Sequence, residues 1–166
     1  MLRGSYTSNV TTDGANSFEL GTDGPKMILV GVDNSTTSLR AAWYAAGLAR
    51  RQRAAVTAVY VAPLASLAVG TAYGEAAELA AVQHQAAAEL ADDMRRRAAD
   101  VSRELGISVT FIAAEGDPFT ELRRIADEIR ADAVVVGASA RAGHRLIGSL
   151  AVRLVRAGRW PVTVVP

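Results

Sequence analysis

Five short stretches of the chain are apolar, rich in β-branched residues and fenced by turn residues: 27–32, 56–61, 108–114, 133–136 and 162–165. Their apolar character runs almost unbroken instead of alternating, as expected for strands covered on both faces of a parallel sheet. Between them the period changes to a helical one, over 38–52, 75–105, 118–130 and 149–157. In the longest of these, Leu79, Val82, Ala86, Leu90, Met94, Val101 and Leu105 form one apolar stripe for the sheet, leaving Asp92, Asp93 and Arg95 to Arg97 as a solvated face. The ends carry their own signals. Asp117 is a cap with Pro118 at the first helical position and Glu121 in the first turn, and Gly106 suits a helix C-terminus.

Strands alternating with helices predict an α/β fold: a five-stranded parallel sheet with helices on both faces, doubly wound and Rossmann-like. In that architecture a ligand sits outside the carboxyl ends of the strands, where the strand order reverses. Two loops therefore hold the candidate chemistry, 32–38 after the first strand and 137–149 after the fourth.

Composition narrows the classes. At 166 residues, half of them apolar, the chain is sized for one core. Residues 1–25 are rich in Gly, Ser, Thr, Asn and Asp and read as a flexible tail, with one domain over 26–166. Lys and Arg number 18 against 17 Asp and Glu, a net charge of +1, so no broad basic field points to nucleic acid. The absence of cysteine removes disulfides, thiolate metal sites and a cysteine nucleophile. No run has the length of a membrane span or a signal peptide, and the expected location is the cytoplasm.

In the first loop Asp33 closes the strand, and Ser35 or Ser38 is the expected helix cap. Asp33 has two open roles, reaching a ribose hydroxyl or metal from a strand end, or capping the helix itself. The second loop has the make-up of a phosphate site. Gly137 lets the backbone come close to a ligand, Gly148 and Ser149 offer N–H groups and a hydroxyl at a helix N-terminus, and Arg141 and Arg145 supply guanidinium groups. An ordinary loop with glycine turns and a serine cap fits the same residues. The P-loop pattern, G-x-G-x-x-G after the first strand and the G-x-S-x-G elbow are all missing, and Ser139, His144 and Asp33 do not make a convincing triad. His84 is expected to face solvent.

The first-strand segment runs Asp33-x-Ser35-x-x-Ser38-x-x-Ala41, and the closing segment runs from Val134 to Val136 through Gly137, Gly148 and Ser149 to Pro161 and Pro166. With Tyr60-Val61 and the Gly116-Asp117-Pro118 turn between them, this resembles the universal stress protein family over about residues 26–166. Nucleotide-binding members of that family carry G-x2-G-x9-G-[ST] after the fourth strand. Here Gly137, Gly148 and Ser149 match, Ala140 stands at the second glycine, and seven residues separate it from Gly148.

The resemblance implies an ATP pocket with Asp33 and Val61 on the adenosine side and Gly137, Ala140, Gly148, Ser149 and Leu150 around the phosphates. Val32, Val136 and Arg141 complete it, and Mg²⁺ would accompany the nucleotide. It also implies a homodimer paired through the last strand, Val162–Val165, and a stress-response signalling module with no catalytic constellation, slow hydrolysis of bound ATP aside. The alternative within the family is a homodimeric protein-interaction module that binds no nucleotide, supported by Ala140 and the shortened loop. An adenylating or phosphoryl-transfer enzyme would need acidic metal ligands, and 137–149 contains none.

Overall fold

The computed structural model describes residues 24–63, 73–139 and 149–166, and the side chains of these except 73–77. Strands β1 (Met27–Val32), β2 (Ala55–Ala62), β3 (Val109–Glu115), β4 (Ala133–Gly137) and β5 (Val162–Val165) alternate with helices α1 (Thr36–Gln52), α2 (Tyr73–Leu105), α3 (Pro118–Glu128) and α4 (Ser149–Ala157). All strand pairs are parallel, in the order β3-β2-β1-β4-β5. Counting outward from β1, the chain first builds toward β3 and then crosses to β4 and β5. The switch point thus falls between β1 and β4.

The pleat sorts the core into two layers. Leu29, Val59, Val134 and Val136 point to one face, where Leu122, Ile125 and Ala126 of α3 and Ala151 and Leu154 of α4 cover them. Ile28, Val30, Val56, Ala58 and Val135 point to the other, under Ala41, Ala45 and Ala49 of α1. Those three alanines recur every fourth residue and are fully buried, so α1 lies against the sheet with only methyl groups between. The continuous coverage expected of every strand holds for β1, β2 and β4. The edge strand β3 is less covered, with Thr110, Ala113 and Glu115 exposed and none of its residues buried.

The α2 stripe needs correction. Leu90 is half-buried and Met94 buried, and Val101 and Leu105 are half-buried, but Leu79 and Val82 are each 60% exposed and Ala86 is exposed as well. Length explains it. A helix of 33 residues extends about 50 Å at its 1.5 Å rise. The eight residues of β2 reach only about 26 Å, so no strand can cover the whole stripe. The charged face behaves as expected, with Asp92 paired to Arg95 and Asp93 to Arg96 in solvent.

Helix ends follow their sequence signals. Asp117 accepts from the Thr120 N–H at 3.0 Å, Pro118 opens α3, and Gly106 takes φ +62° after α2. Element bounds differ from expectation by one or two residues, and α1 begins at Thr36. That shift makes Ser35 the cap and leaves Ser38 buried inside the first turn. No helix among the described residues is long and apolar enough to cross a membrane. The predicted tail falls almost wholly outside the described residues.

Candidate functional site

The end of β1 is held by a compact hydrogen-bond set. The Ser35 N–H donates to Asp33 Oδ1 at 3.0 Å, and the Ser38 N–H donates to Ser35 Oγ at 3.1 Å. Ser38 Oγ is used twice, donating to the Ser35 carbonyl at 3.0 Å and accepting from the Asp33 N–H at 3.2 Å. Asn34 takes φ +63°, a conformation Asn tolerates, to make this turn. Burial pushes the Asp33 carboxyl up, and the hydrogen bonds from Ser35 and Ser38 outweigh it, so the group is held below its ordinary value and is ionised at neutral pH. Burial, with the Asp33 carboxylate nearby, raises the Tyr60 phenol.

The neighbouring strand end is fastened to this turn. Thr37 Oγ1 donates to the Ala138 carbonyl at 2.7 Å. Gly137 pairs with Val165 as the last residue of β4, beyond the bound the sequence suggested. A Cβ placed on Gly137 would lie 2.6 Å from Ser38 N and from Thr37 C, both backbone atoms. The reason for glycine is therefore the close approach of β4 to the first turn of α1. Closeness to a ligand, the expected reason, is not required to explain it.

Above these strand ends opens a cleft of about 750 Å³. Val59, Val61, Val136, Leu122 and Leu150 give it an apolar wall, and Asp33, Ser35, Thr37, Ser38, Ser139 and Ser149 a polar side. Ser149 and Leu150 are the first two residues of α4, so the positive end of that helix faces the cleft from across β4. Among the described lining residues Asp33 is the one titratable group. No group of three His, Cys, Asp or Glu able to hold a metal exists among the described residues.

Residues 25–166 match the universal stress protein family. The chain belongs to that family. A universal stress protein of Methanocaldococcus jannaschii is 30% identical over 145 residues, which covers 84% of this chain and 81% of that one. The solved structure of UspA, a universal stress protein from Lactobacillus plantarum, superimposes with a TM-score of 0.71 at 26% identity, covering 85% of this chain and 97% of the other. A universal stress protein from Archaeoglobus fulgidus in complex with dAMP shares the fold at a TM-score of 0.56 and 21% identity, over 84% of this chain and 96% of its own.

Of the residues that the universal stress protein resemblance singled out, Val32, Asp33, Val61, Val136, Gly137, Ser149 and Leu150 all line the one cleft. Ala140, Arg141 and Gly148 lie outside the described residues, as do His144 and Arg145. Sequence reasoning missed Thr37, Leu122 and Pro118. Thr37 sits between the two serines of the opening motif, and Pro118 follows the Asp117 cap, so position gave a signal for both. Leu122 gave none beyond its place on the apolar face of α3. His84 faces solvent with Nε2 3.4 Å from Glu115 Oε1, away from the cleft.

Proposed function

We propose that this universal stress protein is an adenine-nucleotide-binding signalling module, with the nucleotide in the cleft at the β1/β4 switch point. One observation carries the reading: an ionised carboxylate at the end of β1 and the N-terminus of α4 face the same cleft from its two sides. The adenine base packs on Val61, Leu122 and Leu150, a ribose hydroxyl donates to Asp33, and the phosphates meet the N–H groups and hydroxyl at the start of α4. A volume of about 750 Å³ is within the usual span of about 300–1,000 Å³ for small-ligand sites. The dAMP held by the Archaeoglobus fulgidus relative supports the same class of ligand. Mg²⁺ would enter with the phosphates, Asp33 being the one acidic side chain among the described lining residues. Among the described lining residues the cleft has one titratable group and so no acid–base pair, which favours binding over catalysis.

The dimer belongs to the same proposal. β5 pairs with β4 along one edge and has no strand on the other among the described residues, so Val162–Val165 offers a row of backbone groups to a second copy.

The test is direct. Protein purified from cells is denatured and its supernatant resolved for nucleotides, and the purified chain is titrated calorimetrically with ATP, ADP and AMP. Stoichiometric nucleotide in the supernatant, or saturable binding weakened about tenfold or more by Asp33→Ala, supports the reading. A clean supernatant together with no heat at millimolar nucleotide overturns it and favours the protein-interaction module.

A further inference from the structure

A second hollow lies away from the cleft, between α3 and α4, with a volume of about 430 Å³. It is lined by Phe119 and Arg123 of α3, Arg153, Arg156 and Ala157 of α4, and Arg159 just beyond. Four guanidinium groups thus converge with no carboxylate among them. Two are already employed. Arg153 makes a two-pronged bond to Asp117, 3.0 Å on each prong, and lies 4.3 Å from the Phe119 ring centre. Arg159 pairs with Asp127 at 2.9 Å.

The other two, Arg123 and Arg156, are exposed and have no acidic partner among the described residues. Local supply explains why. Residues 117–128 contain Asp117, Glu121, Asp127 and Glu128, and Arg153, Arg124, Arg159 and again Arg124 occupy them in turn. α4 and the residues after it to 166 contain no acid at all. Arg156 gains from its place in the last turn of α4, where a cation suits the helix dipole. Arg123, in the middle of α3, has no such reason, and two like charges facing one hollow repel.

We propose that this hollow is an anion site taking a short phosphate chain, two or three linked phosphates, between Arg123 and Arg156. Guanidinium groups match phosphate oxygens fork to fork, and one on each helix, Arg123 on α3 and Arg156 on α4, suits a chain better than one tetrahedral ion. Arg153, pinned by Asp117 and the Phe119 ring, sets the shape of the wall. The near-neutral total charge and the confinement of the patch to one hollow favour a compact anion over a nucleic-acid strand, which needs an extended basic track.

The full chain is titrated calorimetrically with tripolyphosphate at low ionic strength, and with ATP in parallel. Arg123→Gln/Arg156→Gln should weaken tripolyphosphate about tenfold or more, and Arg123→Lys/Arg156→Lys, which keeps the charge and loses the fork, should fall between. Arg95→Gln/Arg96→Gln on α2 serves as the control for general charge and should bind as the unmodified chain does. Unchanged ATP affinity in the Gln pair assigns the site to a free phosphate chain, and an equal loss assigns it to a nucleotide's phosphate tail. Absence of tripolyphosphate binding by the unmodified chain, or an equal loss in the α2 control, overturns the proposal. All four arginines are exposed, and thermal midpoints of each variant confirm that folding is intact.

Discussion

Adding one methyl group at Gly137 gives the sharpest test of how the strand ends are assembled. In Gly137→Ala the new Cβ meets Ser38 N and Thr37 C at 2.6 Å and Thr37 O at 2.8 Å, all backbone atoms of the first turn of α1. No rotamer change relieves such a clash, so either β4 or α1 must shift. Overpacking a tight site costs about 1–3 kcal/mol. The shift also stretches the 2.7 Å bond from Thr37 to the Ala138 carbonyl, whose loss adds about 1 kcal/mol. The sum, roughly 2–4 kcal/mol, is a large part of the 5–15 kcal/mol that holds a domain together. It corresponds to a fall in Tm of roughly 5–15 °C for a chain of this size. Urea unfolding followed by circular dichroism measures it, with Gly47→Ala as the comparison. There the added Cβ meets only the Arg51 Nη1 end at 3.4 Å, and replacing a mid-helix glycine should stabilise by about 0.5–1 kcal/mol. A Gly137→Ala variant within about 0.5 kcal/mol of the unmodified protein, the range of neutral surface changes, would refute the close-approach argument.

Three further outcomes follow from the same packing. Leu154→Ala empties a fully buried position under the sheet and should cost about 2–5 kcal/mol in urea unfolding. Ser35→Ala removes the oxygen that receives the Ser38 N–H and should cost about 1 kcal/mol, and, if the proposed nucleotide site is right, should also weaken nucleotide binding because Asp33 loses the turn that holds it. Hydrogen bonds from Arg153 and then Thr120 bring the Asp117 carboxyl down to about 2. A carboxyl lowered on folding favours the folded state above its unfolded value of about 4, and that contribution is lost as pH falls from there through the folded value. Thermal melts between pH 5 and pH 2, taken as roughly the window between those two values, should therefore show a decline that Asp117→Asn flattens.

The sheet was legible in the sequence because burial on two faces leaves a plain trace. Leu29 and Ile28 serve opposite layers, yet both must be apolar, so β1 reads as one unbroken run. The same logic fails at β3, an edge strand whose outer positions include Thr110 and Glu115, and at the start of α2, where Leu79 and Val82 keep the helical period with no strand beneath them. Periodicity reports which side chains could share a face, and length decides which of them find a partner. In the candidate site the polar residues of the β1 turn were visible as Asp33, Ser35 and Ser38, since caps and strand ends use few residue types. Their division of labour was hidden, because a shift of a few residues in where α1 begins decides whether Ser35 or Ser38 is the cap. Leu122 was hidden for another reason: it reaches the cleft from a helix far along the chain, and only the sheet order brings them together.

The seam between β4 and α1 also bears on how such a pocket can change its preferences. At position 137 no side chain fits, and at 35, 37 and 38 the side chains are committed to one another or to the Ala138 carbonyl. Substitutions on that side trade against folding itself, which leaves it nearly closed to adjustment. The facing wall is different: Val61 and Leu150 are only half-buried, and each can be exchanged for a larger or smaller apolar residue at modest cost. For the proposed nucleotide site, selectivity is thus free to drift on the apolar wall while the polar turn stays fixed by the fold.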